Sequence, residues 1–272
     1  MKIIFINFVL ALCLLLPNAA MANEANDCQY NIDDVEMIEG VVYQNSIPVT
    51  GIICGYENGQ LTGKFSHKNG KMNGISKVYH ENGNLKEEAF FKNDEYEGIS
   101  KSYYENGKLF SETPYKNGKR EGVFKDYYES GKLGSEVLYK DDRKEGVAQK
   151  YYENGKLQFE THFINDKREG IVKMYYESGH LSREVIYKDD KREGVSKSYR
   201  ENGKLQGETP YKNDQREGQE KNYRPNGKMY TTIEYKNDSP VSGICHHADG
   251  RKTSLTNAEF TNWNNGLNIT CD

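Results

Sequence analysis

Glycine recurs along this chain with a fixed period. One series falls at 59, 83, 107, 131, 155, 179, 203 and 227, each 24 residues after the last. A second, interleaved series falls at 74, 98, 122, 146, 170, 194 and 218, with the same spacing. Two such series without a slip identify a tandem repeat, whose period must be read before any local structure. Seven full repeats run from Gly74 to about Ser242. The one from Gly98 reads GISKSYYENGKLFSETPYKNGKRE and the next, from Gly122, reads GVFKDYYESGKLGSEVLYKDDRKE. Degenerate half-repeats flank them at Gly51 to Gly59 and Gly243 to Gly250. Glycine alternating at intervals of 9 and 15 residues excludes a run of helix long enough to persist.

Each repeat holds two short strands, such as Val123 to Tyr128 and Leu133 to Tyr139, rich in Tyr, Val, Ile and Thr and bounded by Gly, Asn and Asp. The Glu-Asn-Gly or Glu-Ser-Gly between them sets the register. A two-residue type I′ loop suits Asn-Gly but not Ser-Gly, because it needs φ > 0 at both centres. A three-residue loop, a type I turn followed by a left-handed Gly, accepts both. It pairs Tyr127 with Leu133 and Val123 with Val137, and is expected to place Val123, Tyr127, Leu133, Val137 and Tyr139 on one face. The expected fold class is all-β: an elongated, twisted antiparallel β-meander of tandem 24-residue β-hairpins. About 16 strands at the usual spacing would span on the order of 75–80 Å. Stacking forms columns of like residues. Tyr79 to Tyr223 make one, Leu85 to Met229 a second and Phe91 to Tyr235 a third. Lys77 to Lys221, interrupted by Gln149, and Glu88 to Glu208 make two more, read as a solvated, salt-linked face.

Residues 1–22 differ from the rest. Lys2, the apolar run Ile3 to Leu16 and Ala20-Met21-Ala22 read as a secretory signal peptide cleaved near Ala22. The run is shorter than the roughly 18–20 residues a membrane span needs. The expected organisation is a signal peptide over 1–22, an N-terminal cap over 23–50, the repeat array over 51–250 and a C-terminal cap over 251–272. Localisation is expected to be periplasmic, secreted or at the cell surface, with no transmembrane segment after cleavage. Cys28, Cys54, Cys245 and Cys271 then remain, each pair 26 residues apart. Three connectivities are open, and Cys28–Cys54 with Cys245–Cys271 is favoured, one staple at each end. The open edges of a sheet recruit other chains and repeat arrays need caps. The pattern Thr256 to Glu259 suggests a capping box opening a short helix with Phe260 and Trp263 over the last strand. The capped array is expected to be monomeric.

The net charge of −4 argues against a nucleic-acid partner. No catalytic residue, cofactor or metal site is expected, because nearly every polar residue recurs in register, whereas an active site needs a unique constellation. His246-His247, adjacent on a strand and so facing opposite ways, are not read as a metal site, and the turn pairs Asp141-Asp142 and Asp189-Asp190 are read as solvated turns. Some columns vary more than others, among them the column of Val78, Ser102, Asp126, Lys150, Met174, Ser198 and Asn222. Its members Asp126, Lys150 and Met174 are the candidate binding face.

The unit Tyr103 to Gly122 resembles the variant MORN repeat of bacterial proteins labelled YwqK-family antitoxins, over about residues 51–250. Original-type MORN repeats carry Trp and extra Gly that the repeats of this chain lack, so their lipid contacts are not implied. The resemblance implies a non-enzymatic repeat protein, with toxin neutralisation as one role. The reading of the residues is an exported scaffold that binds a protein partner through its sheet. Antitoxin or immunity action and glycan or cell-surface binding are the alternatives.

Overall fold

The structure, a computed structural model, describes residues 27–256 and residue 271. The signal peptide assigned to 1–22 and the helix expected around Phe260 and Trp263 lie outside the described residues. Among those described, the fold is β-strand throughout apart from one 3-10 turn at Ile32–Asp34. No helix among them is long and apolar enough to cross a membrane.

The chain divides into two compact units. The N-terminal one runs to Lys132 and includes Tyr139–Asp142; the C-terminal one takes Leu133–Leu138 and everything from Arg143. The first unit contains β1 (Tyr30–Asn31), β2 (Glu36–Ile38), β3 (Val41–Gln44), β4 (Ile47–Pro48), β5 (Gly51–Glu57) and β6 (Gln60–Lys68). It continues with β7 (Lys71–Tyr79), β8 (Leu85–Lys92), β9 (Glu95–Tyr103), β10 (Leu109–Lys116), β11 (Lys119–Arg120) and β12 (Gly122–Tyr127). From β5 to β10 each strand pairs antiparallel with the next, and β10 pairs with both β11 and β12. β2, β3 and β4 form a separate three-stranded sheet. Val42, Val49 and Ile53 make a buried cluster there, with Tyr30 and Val35 against it. β1 lies parallel on the outer edge of β5, and the Cys28–Cys54 disulfide pins it.

β13 (Leu133–Lys140) is divided between the units. The C-terminal unit continues through β14 (Arg143–Tyr151), β15 (Leu157–Ile164), β16 (Lys167–Arg168), β17 (Gly170–Tyr175), β18 (Leu181–Lys188), β19 (Lys191–Arg192) and β20 (Gly194–Tyr199). It ends in β21 (Leu205–Lys212), β22 (Gln215–Arg216), β23 (Gly218–Tyr223), β24 (Met229–Lys236), β25 (Ser239–His246) and β26 (Lys252–Ser254). Cys245 and Cys271 close a disulfide beside Ile233, Tyr235 and Leu255, all buried. Both cysteine pairs are therefore the ones favoured from the sequence.

Two loop types alternate. Within a repeat the Gly107 N–H donates to the Tyr104 carbonyl and the Tyr104 N–H to the Lys108 carbonyl, with Gly107 at φ +79°. This is the three-residue loop expected from the sequence, and the matching pairs Tyr103–Leu109 and Tyr151–Leu157 follow from it. Between repeats a two-residue turn has both centres at positive φ, as at Asn165 (+49°) and Asp166 (+68°). That is type I′ geometry, which Asn and Asp tolerate better than other side chains. Just beyond it the partner sum shifts by two residues between Phe163–Arg168 and Glu160–Lys173. The slack contains Gly170 at φ +82°, a backbone state that a residue bearing a Cβ enters only under strain.

The facing expected from the sequence needs one correction. A bulge follows every three-residue loop, between Lys150 and Tyr151 in β14. Past it Val147 pairs with His162, and Ala148 with Thr161. The bulge moves the second half of each hairpin by one residue, which carries side chains to the other face. In this repeat Val147, Tyr151 and Leu157 thus stay together on one face, while Thr161 and Phe163 belong to the other. The repeat therefore does not keep on one face the five positions read in the sequence as Val123, Tyr127, Leu133, Val137 and Tyr139.

Candidate functional site

The first face carries three rows. In the middle lies a ladder of alternating charge. Lys77, Glu88, Lys101, Glu112 and Lys125 are successive cross-strand partners in the N-terminal unit. Gln149, Glu160, Lys173, Glu184, Lys197, Glu208 and Lys221 are the same in the C-terminal one. Ion pairs form at 3.6 Å (Lys77–Glu88), 3.7 Å (Lys101–Glu112) and 3.8 Å (Lys173–Glu160). Tyrosine hydroxyls from the following repeat donate to the same carboxylates: Tyr127 to Glu112, Tyr151 to Glu136 and Tyr199 to Glu184, each at 2.9 Å. Burial first, and then the carboxylate it bonds, pushes the hydroxyls of Tyr151 and Tyr199 up to about 12. They remain protonated donors at neutral pH.

Flanking the ladder on the same face is a row the sequence reading did not single out. Ile75, Phe90, Ile99 and Val123 in the N-terminal unit are exposed aliphatic or aromatic side chains, as are Leu138, Val147, Ile171, Ile186 and Val195 in the C-terminal one. Ile171 and Ile186 are direct partners, with relative exposures of 50% and 37%. In the last repeat the equivalent pair is Gln219 and Glu234, so the apolar row stops there. The signal was in the sequence, in the residue after each second-series glycine. Its exposure could not be read without the bulge.

The second face holds the small or β-branched pairs Ala148–Thr161 and Val172–Val185, all buried. Beside them runs a column of stapled rings. The Arg168 guanidinium lies 4.1 Å from the Tyr187 ring centre, its Nε 2.9 Å from Asp190 Oδ1, and its backbone N–H donates to the same oxygen at 3.0 Å. Arg120–Tyr139–Asp142, Arg192–Tyr211–Asp214 and Arg216–Tyr235–Asp238 repeat the arrangement. In the second repeat Tyr96 stands in the arginine position and stacks on Tyr115 at 4.7 Å. The Arg168 side chain and backbone N–H hold the Asp190 carboxyl below its usual range; for Asp142 and Asp214 the arginine backbone N–H is the largest cause. A Glu from the preceding turn also accepts from the next turn's backbone, as Glu169 does from the Asp189 N–H at 2.9 Å. Each staple therefore crosses from one repeat to the next. The turn aspartates, read from the sequence as solvated, are bound in these staples.

The varied column lies on this second face. In the N-terminal unit Asp126 pairs with Ser111. In the C-terminal unit Lys150 and Met174 both flank Phe159, and Met174 pairs in turn with Arg183. The fold thus brings Lys150 and Met174 together and leaves Asp126 in the other unit. Lys150 and Arg183 are exposed, while Phe159 and Met174 are half-buried. Phe159 and Arg183 become part of this candidate site only through the bulged register, which makes them cross-strand neighbours of the varied positions.

His246 and His247 reach apart, to Thr232 and Thr253. No group of three or more His, Cys, Asp or Glu side chains among the described residues is arranged to hold a metal ion.

Seven tandem matches to the family described as MORN repeat variant cover 72–93, 96–117, 120–141, 144–165, 168–189, 192–213 and 216–237. The chain belongs to the MORN repeat variant family. Its hairpins are those repeats, and the matched segments begin in the stapling strand and end in the type I′ turn. No curated protein matches the chain. Among solved structures it is similar to a chain of "Crystal Structure of TcdB2-TccC3-TEV", at 13% identity and a TM-score of 0.20 over 74% of this chain. The chain spans 13% of the length of that protein. A porin-like protein from Bacteroides uniformis ATCC 8492 matches at 11% identity and a TM-score of 0.18, over 66% of this chain and 86% of its own.

Proposed function

We propose that this MORN repeat variant protein is an exported, non-catalytic scaffold that binds a protein partner through the varied row of its C-terminal unit. The observation that carries the reading is the sequence of neighbours Lys150, Phe159, Met174 and Arg183 on consecutive strands. Two exposed cations there flank a half-exposed aromatic ring and a thioether. Aromatic residues, Met and Arg are the types enriched in the centres of protein interfaces. The charge ladder and the stapled column present nearly the same side chains at each step, which offers a partner no unique register. The row that changes from repeat to repeat supplies one. Its charge suits a partner segment that combines carboxylates with an apolar side chain. Export is supported by the apolar N-terminal segment of the sequence and by two disulfides, which persist in oxidising compartments.

The test is affinity capture from envelope and culture-medium fractions with the oxidised mature protein. The double variant Lys150→Glu, Arg183→Glu serves in parallel. A partner retained by the parent and lost from the variant is expected; equal recovery by both would rule out this row as the site.

A further inference from the structure

The first face differs from the second in being nearly uniform, and its chemistry complements itself. In the C-terminal unit the charge ladder changes sign at every strand from Glu160 to Lys221. The row beside it exposes Val147, Ile171, Ile186 and Val195, with His162 between the first two, and loses its apolar character where Gln219 and Glu234 replace it. An occupant must match the strand spacing, which is about 4.8 Å. A helix laid along the row rises about 5.4 Å per turn and falls half a strand out of step within about four strands. A second sheet of the same construction has the same strand spacing.

The alternation of sign also selects an arrangement. A two-fold axis parallel to the strands, midway between two of them, lays each ladder over a reversed copy of itself. Every Lys then faces a Glu, and the aliphatic rows meet directly. An axis along the row would set Lys over Lys, which is destabilising.

From this spacing and sign pattern we infer that the ladder face of the C-terminal unit is a self-association surface, occupied by the same face of a second copy of this chain. The inference replaces the monomer expected from the sequence and is independent of the partner site on the opposite face. The interface is a stacked pair of sheets with an aliphatic seam and a line of intermolecular Lys–Glu contacts. Salt weakens it, because the charges are solvent-facing before assembly.

Sedimentation velocity of the full oxidised chain tests this. A reversible dimer is expected at low ionic strength, weakening as salt rises. Val147→Lys with Ile171→Lys should raise the dimer dissociation constant by about 100-fold or more, since it exchanges two buried aliphatic contacts for charges. The change should leave far-UV circular dichroism intact, as both positions are about half exposed in one copy. If lysine disturbs the strands, Val147→Thr with Ile171→Thr keeps β-propensity and should still weaken the dimer by about tenfold. Lys150→Glu with Arg183→Glu, on the other face, should leave the dimer unchanged while abolishing partner capture. A parent chain that stays monomeric at every concentration overturns the inference, as does a dimer that survives both substitutions on the ladder face. Pairing only with a different protein through this face overturns it as well.

Discussion

At the C-terminal end, Ile233, Tyr235, Cys245, Leu255 and Cys271 are buried against one another under a disulfide. Val42, Val49 and Ile53 form the corresponding cluster at the other end, beside Cys28–Cys54. In a middle repeat, around β17 and β18, Val172 and Val185 are buried as a pair, while their neighbours Ile171 and Ile186 face solvent. The ends therefore rely on enclosed apolar volume and covalent closure. The middle relies on contacts that recur at each step: a ring under a guanidinium, a carboxylate on that guanidinium, and a tyrosine hydroxyl reaching the next backbone, as Tyr152 does to the Tyr175 carbonyl at 2.7 Å. Staple contacts of these kinds contribute about 0.5–1 kcal/mol each when exposed. Stability in the middle must then be a sum over neighbouring interfaces, as in other linear repeats. An end has a neighbour on one side only, and the enclosed clusters compensate for the missing interface.

That contrast can be broken at several points. Replacing Cys245 and Cys271 by serine should have the largest effect, about 3–4 kcal/mol for a closed loop of this size. Hydrogen exchange should show the loss concentrated in β24 and β25, with β17 and β18 little changed. Ile233→Ala, at a fully buried position, should cost about 3 kcal/mol in chemical unfolding, whereas Ile171→Ala, half exposed, should cost less than about 1 kcal/mol. Equal costs at concentrations where the chain is monomeric would mean that the middle encloses a core after all. Arg168→Ala should cost about 1–2 kcal/mol by removing one ring contact and one ion pair. It should raise exchange in β18 and β19 without affecting β25.

The smallest effect is that of acid. Asp142, Asp190 and Asp214 have carboxyls held below their ordinary value in the folded chain. Their contribution is complete above the unfolded value, near 3.8, and disappears as pH falls through the lower folded values. Melting followed from pH 6 down to pH 2.5 should show the stapled repeats weakening below about pH 4. The disulfide-closed ends should respond less.

The period, the hairpins, the three-residue loop and the pairing of four cysteines were legible because each rests on local chemistry: which residues accept φ > 0, and which spacings recur. The facing of the strands was not legible. Tyr56-Glu57-Asn58-Gly59 and Tyr104-Glu105-Asn106-Gly107 are the same four residues, yet they make different loops. The first is a two-residue turn with Asn58 at φ +51° and Glu57 paired with Gln60. The second is a three-residue loop with Tyr104 bonded to Lys108 and its hydroxyl donating to the Tyr127 carbonyl of the next repeat at 2.7 Å. Local propensity allows both loops, and the contact with a following repeat accompanies the choice. The bulge beside that loop turned Thr161 and Phe163 away from Val147, exposed the aliphatic row and made Phe159 and Arg183 neighbours of Lys150 and Met174. The sequence by itself determined the repeat, its hairpins and its cysteine pairs, because these depend on residues close in the chain. Only the tertiary structure decided which side chains share a face, because a one-residue shift between strands reverses every side chain beyond it at little local cost.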